Sequence, residues 1–183
     1  MHRVVCLTLF FFVSILSQAQ SIYSEVFLKN LANHCGKSYK GQIISNPIPK
    51  DFKDKELIMT VMLCEEGLIK VPFFVGDDLS RTWVFTLKDD GLELKHDHRK
   101  ANGMPDEVTM YGGTATNHGL VDTQFFPADQ YTANLIPSIA GNVWWVTLSD
   151  TEFSYNLKRV DSEGAFKVVF DLTTPIESNK IPW

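Results

Sequence analysis

The chain has 183 residues, with 17 Lys and Arg against 22 Asp and Glu, a net charge of −5, and 44% hydrophobic residues. That length can give one domain a sizeable core, and 13 Phe, 5 Tyr and 4 Trp exclude a disordered or low-complexity chain. An acidic balance with no basic run argues against a nucleic-acid partner, which needs a clustered positive face.

Residues 1–20 read MHRVVCLTLFFFVSILSQAQ. A short basic start, His2 and Arg3, precedes an apolar run from Val4 to Leu16. Ser17 and Ala19 are small residues placed as signal peptidase requires. The reading is a secretory signal peptide over 1–19, cut after Ala19, and a single exported domain over 20–183, periplasmic or secreted. The apolar run is shorter than the roughly 20 residues of a bilayer span. No later segment is longer or more apolar, so no transmembrane segment is expected in the mature chain. Cys6 leaves with the leader, and Cys35 and Cys64 remain. In an oxidising compartment they are expected to pair. Closing a loop of about 30 residues is worth about 3–4 kcal/mol. The rival role, a thiol nucleophile or metal ligand, lacks the basic neighbours that lower a thiol pKa.

From Ser21 to Cys35 the apolar positions Tyr23, Val26, Phe27 and Leu31 recur at helical steps, and Gly36 supplies a stop. The period then changes to two. Ser38–Ser45 is an expected strand, and NPIPKDFKDK is a turn-rich loop. Glu56–Cys64 and Leu68–Val75 read as a hairpin about Glu65-Glu66-Gly67. Thr82–Leu87 turns through Asp89-Asp90-Gly91 into Leu92–Arg99, the strongest hairpin signal in the chain. A loop KANGMPD leads to a short expected strand, Glu107–Tyr111, broken by Gly112-Gly113. Ala115–Phe126 reads as a loop and one strand, and Ala128–Ile139 as a helical turn before Pro137. Asn142–Leu148, Glu152–Arg159 and Ala165–Leu172 form a meander, with an irregular tail after it.

Eight to ten short strands joined by tight turns, behind one helix, predict an all-β fold. The expected architecture is an antiparallel up-and-down β-barrel, with a two-sheet β-sandwich as the alternative. Alternation places Trp83, Phe85 and Leu87 on one face, as it does Trp144 and Val146, Phe153 and Tyr155, and Phe166 and Val168. So many inward rings either pack solid or line a cavity for an apolar ligand.

The stretch Leu92-Glu93-Leu94-Lys95-His96-Asp97-His98-Arg99 is the most informative for chemistry. On a strand, His96 and His98 continue the inward row of Leu92 and Leu94, their Cα atoms about 7 Å apart. Such a pair can hold a metal with further ligands, for which His34, His118, Asp106 and Glu107 are candidates at no diagnostic spacing. Tyr111 offers a phenol to the same region. Trp145 is an outward indole, a surface platform or a packing partner of the leading helix. Asp77-Asp78 with Arg81 reads as a polar hairpin cluster. No nucleophile, base and orienting group can be named together, which leans against an enzyme.

The stretches Cys35-Gly36-Lys37-Ser38-Tyr39-Lys40-Gly41, Ser80-Arg81-Thr82-Trp83, Lys95-His96-Asp97-His98-Arg99 and Met110-Tyr111-Gly112-Gly113 resemble a group of exported bacterial proteins with no assigned activity. The resemblance spans most of the mature chain and implies a common fold. More loosely, the leading helix, the Gly-x-x-x-x-Gly into the first strand and the meander look like the calycin group, lipocalins and their relatives. Tyr39 stands where the lipocalin signature has Trp.

Three functional expectations follow. The first is binding of a small apolar or amphipathic ligand by the aromatic face, with Trp83, Phe85 and Tyr155 in the wall and His96, His98 and Tyr111 at the mouth. The second is a metal-dependent enzyme centred on His96 and His98. The third is an envelope module acting through its surface. The sequence names no cofactor beyond that metal and gives no oligomeric state.

Overall fold

A computed structural model describes residues 22–116 and 120–183. The signal-peptide reading of 1–19, and His118 among the candidate ligands, lie outside the described residues. Helix α1 covers 22–32 and breaks at Gly36, whose φ of 79° suits glycine. Strands β1 (Ser38–Ile43), β2 (Leu57–Thr60), β3 (Leu63–Glu65) and β4 (Leu68–Val75) follow, then β5 (Asp78–Lys88), β6 (Gly91–His98) and β7 (Tyr111–Thr114). The second half holds β8 (Thr123–Pro127), α2 (Gln130–Leu135), a 3₁₀ turn (Pro137–Ile139), β9 (Asn142–Leu148), β10 (Glu152–Arg159) and β11 (Ala165–Asp171).

All pairings are antiparallel between chain neighbours, and β11 returns to β1, which gives an up-and-down barrel. β2 and β3 are two halves of one stave, since both pair with β4. The sheet's two ends, β7 and β8, meet without a ladder. Asp129 N–H donates to Gly112 O at 2.9 Å, and Thr132 Oγ1 both accepts from Gly112 N–H (2.7 Å) and donates to Gly112 O (2.8 Å). A near-closed barrel hides both edges of the sheet.

Two expectations are corrected here. Residues 107–110 are not a strand, and Gly112-Gly113 lie within β7 rather than breaking it. The strand begins late because Met110 holds a left-handed backbone (φ 56°) while its N–H donates to His96 O at 2.7 Å. The glycines are needed because the seam is tight. A Cβ on Gly112 would stand 2.0 Å from Leu94 O, and one on Gly113 1.9 Å from Pro127 O.

The barrel has two unlike ends. At one, α1 buries Phe27, Leu28 and Leu31, with the Phe27 ring 6.4 Å from Phe85 and Phe85 6.2 Å from Phe126. His34 Nδ1 bonds Tyr39 Oη at 2.8 Å, and a disulfide joins Cys35, just past α1, to Cys64 on β3. The tail crosses the outside: Ile176 N–H donates to Ser38 O, Lys180 Nζ to Gly76 O and Trp183 N–H to Leu79 O. Some outward-facing residues, such as Ile58, Phe74 and Val84, are also buried. No helix among the described residues is long and apolar enough to cross a membrane.

Candidate functional site

The opposite end is open. Inward side chains of β4, β5, β6, β7, β9, β10 and β11 surround a cavity of about 670 Å³, roofed by the 44–55 and 99–110 loops and the 3₁₀ turn. That volume falls in the range of small-molecule sites, about 300–1,000 Å³. A second recess of about 380 Å³ shares Pro49, Ile139, Asn142, Leu157 and Phe166 with it and extends toward the β10–β11 turn.

One wall is a row of nearly parallel rings. Phe52 lies 6.2 Å from Phe73, Phe73 4.8 Å from Trp83, and Trp83 4.5 Å from Tyr155, each pair within 19° of parallel. Strand alternation puts Phe73, Trp83 and Tyr155 inward from three strands, and the barrel's curvature brings them face to face. Beside Trp83 across the β5–β6 ladder, His96 stacks on Tyr111 at 4.6 Å and 9°, with Trp144 5.1 Å from His96.

Both nitrogens of His96 are engaged. Nδ1 donates to Tyr111 O at 3.0 Å, because a carbonyl can only accept, so Nε2 is the acceptor for the Tyr155 hydroxyl at 2.7 Å. Burial drives the His96 pKa down to about 3, reinforced by His98 and Lys95 against the hydrogen bond it donates to Tyr111 O. The ring is therefore neutral at pH 7, with its proton on Nδ1. Burial also raises the Tyr155 phenol well above its usual range, helped by Tyr111 and opposed by hydrogen bonds from Trp83 and Trp144. The Tyr111 phenol bonds His98 Nε2 at 3.1 Å and is pushed up to about 12 by burial, with Arg81 opposing. His98 is lowered by burial and then by Arg81, while Asp78, Asp106 and Asp97 pull the other way.

Arg81 opposes His98 across the β5–β6 ladder and pairs with Asp78 on its own strand. Its guanidinium lies 5.8 Å over the Phe52 ring. Burial works against ionised Asp78, but hydrogen bonds from Ser80 and the Arg81 charge outweigh it and lower the pKa.

The outward residues of the same stretch serve the roof. Arg99 Nε donates to both Asp97 oxygens (3.0 and 3.2 Å), Nη2 donates to Oδ2 (3.1 Å), and Nη1 donates to Gly103 O (3.2 Å). Thr109 Oγ1 accepts from His98 N–H at 2.8 Å and donates to Asp97 Oδ1 at 3.3 Å. His-Asp-His-Arg thus lines the cavity with its histidines and clips the 99–109 loop above it with the other two. Lys95, also outward, pairs with Asp129 at the start of α2 and lies 5.4 Å from the Tyr131 ring, bracing the β7–β8 seam.

Of the residues expected at the site, His96, His98, Tyr111, Trp83 and Tyr155 line the cavity together. Phe85 does not. It is fully buried in the plugged end, one inward step further along β5, where Phe27 and Phe126 fill the space around it. Arg81 and Phe52 line the cavity without having been assigned to it, as do Asp106, expected only as a candidate metal ligand, and Trp144 and Phe166, expected only on inward rows. Arg81 was legible as the inward neighbour of Trp83, two residues away. Phe52 sits in an irregular loop, where alternation gives no signal.

The metal reading finds little support in the geometry. His96 has no nitrogen free, His98 is tied to Tyr111, and His34 is at the other end on Tyr39. Glu107 is almost fully exposed. Among the described residues no three His, Cys, Asp or Glu side chains form a metal-holding group. Trp145 stacks on Phe125 at 6.1 Å on the outer face, which explains it by packing between adjacent strands.

No protein-family model, no curated protein and no solved structure matches the chain. What the residues establish is a class: an all-β up-and-down barrel, stapled by a disulfide and hollow at one end.

Proposed function

We propose that this chain is exported by its N-terminal signal peptide and binds a small apolar or amphipathic ligand in the mouth cavity, as a lipocalin-like member of the exported group its motifs resemble. The observation that carries the reading is the hollow itself. A barrel that needed only stability would fill such a space, because each unfilled volume forfeits dispersion contacts. Here the cavity walls are rings held in fixed orientation by stacking and by the His96–Tyr155 and His98–Tyr111 hydrogen bonds. Both distinctive motifs of the resemblance, His-Asp-His-Arg and Met-Tyr-Gly-Gly, meet at this mouth. The Cys35–Cys64 disulfide supports an oxidising compartment.

The test is native mass spectrometry of protein purified from its own compartment, beside a denatured sample. The expected result is a small organic mass excess that vanishes on denaturation, and uptake of the neutral fluorophore N-phenylnaphthylamine by emptied protein. Leu157→Trp, which fills the cavity from β10, should abolish that uptake. Protein that carries no excess and takes up no fluorophore would overturn the reading and favour action through the outer surface.

A further inference from the structure

We propose that the ligand is a flat aromatic carboxylate, its ring against the Trp83–Tyr155 wall and its acid group on Arg81. This rests on the ligand-binding reading above and names the chemistry of the same site. Two independent features of the cavity point to it.

The first is the shape of the wall. Trp83 lies 16° from parallel with Phe73 and 18° from parallel with Tyr155, and His96 and Tyr111 lie within 9°. Rings fixed parallel favour another ring laid alongside, which gains offset-stacking or edge interactions that an alkyl chain does not. Aliphatic side chains contribute less of the lining, mainly at the rim through Val108, Ile136 and Ile139.

The second is the charge. Among the described residues Arg81 is the one Lys or Arg lining the cavity, at the polar edge formed with His98 and Tyr111. Its charge is felt at both neighbours, lowering the His98 and Tyr111 pKa values against the effect of burial on the phenol. A guanidinium has five N–H donors in a planar fork. Among the described residues Arg81 spends one nitrogen, Nη1, on Asp78. The other edge can take a carboxylate in the geometry that matches it. With His98 Nε2–H as the donor to its oxygen, the Tyr111 hydroxyl can donate to the same group. Asp106 is the opposing charge on the lining, and its carboxylate accepts the N–H of Glu107 at 2.6 Å within its own loop.

The experiment is calorimetric titration of emptied, disulfide-intact protein with three probes sharing one ring: naphthoate, naphthamide and naphthylmethylammonium. Naphthoate should bind about tenfold more tightly than naphthamide, the discrimination of one good charge-assisted hydrogen bond. Arg81→Gln should erase that preference, so that naphthoate and naphthamide bind alike. Asp78→Asn, which frees the guanidinium, should strengthen naphthoate binding alone. If naphthamide binds and naphthoate gains nothing over it, or if the ammonium binds best, the proposal fails while ligand binding stands. If none of the three binds but N-phenylnaphthylamine does, the flat-acid assignment fails by itself. If nothing binds, both readings fall.

Discussion

The two ends of the barrel are built from the same kinds of residue and end up in opposite states. At the plugged end, Phe27, Leu31, Phe85, Phe126 and Leu92 are each fully buried, and a helix with a disulfide behind it closes the opening. At the mouth, Trp83, Trp144 and Tyr155 are just as sheltered, yet they surround about 670 Å³ of space. The difference lies in what covers each end. An amphipathic helix lowers a row of apolar side chains into the barrel. The roof of the mouth is made of loops, whose backbone polar groups must face water or pair among themselves, so they cannot fill it.

This contrast can be broken most directly by truncating one ring from each end. Phe85→Ala should cost about 3–5 kcal/mol, the usual loss for a fully buried phenylalanine. Phe166→Ala, on the rim of the cavity, should cost less than half as much, since part of its surface already meets empty space. Urea denaturation of the two variants measures both, and equal losses would mean the mouth is packed as tightly as the plugged end.

The staple can be removed next. Replacing both cysteines, Cys35→Ser with Cys64→Ser, should lower stability by about 2–4 kcal/mol. The α1 end should show it first, as faster amide exchange there than around the cavity. Uniform exchange through both ends would show that the disulfide does not anchor the plug in particular.

Mild acid should act mainly at the mouth, with a further part from His34 at the plugged end, whose pKa is lowered by burial and then by Lys37. The folded His96 titrates near 3 against an ordinary 6.5, so between those values the unfolded chain binds a proton that the folded one refuses. Stability is therefore full above about pH 6.5 and falls as the pH drops, by about 1.4 kcal/mol per unit for one proton. His98, also lowered by burial, adds in the same direction. The lowered carboxylates Asp78 and Asp129 contribute stability that is lost only near and below their ordinary value of 3.8. Melting curves between pH 7 and 4.5 should show the decline, and His96→Gln should flatten it. A decline unchanged in that variant would place the sensitive group elsewhere.

Much of this was legible in the chain. The last three strands differ from the expected meander only at the end of β11, because each carries inward apolar residues at alternate positions and Asp- or Gly-containing turns separate them. The inward placement of His96 and His98 followed from the same alternation. Residues 107–114 were misread because Gly-Gly signals a break locally. Its actual cause is the close approach of Leu94 O and Pro127 O, which belong to strands the local pattern does not reveal. Phe85 was assigned to the ligand wall because alternation gives the face of a strand and not the depth along the barrel.

The sequence by itself determined the fold class, the inward rows and the pairing of Cys35 with Cys64, because period, turn chemistry and cysteine count act over short stretches of chain. Only the tertiary structure decided which end of each row is filled and which is hollow. That outcome depends on barrel curvature, on where α1 docks and on which loops roof the opening, and these are set by contacts between residues far apart in the chain. The same is true of Arg81. Its inward direction is local, but its place beside His98, Tyr111 and Phe52 comes from three separate segments meeting at one mouth.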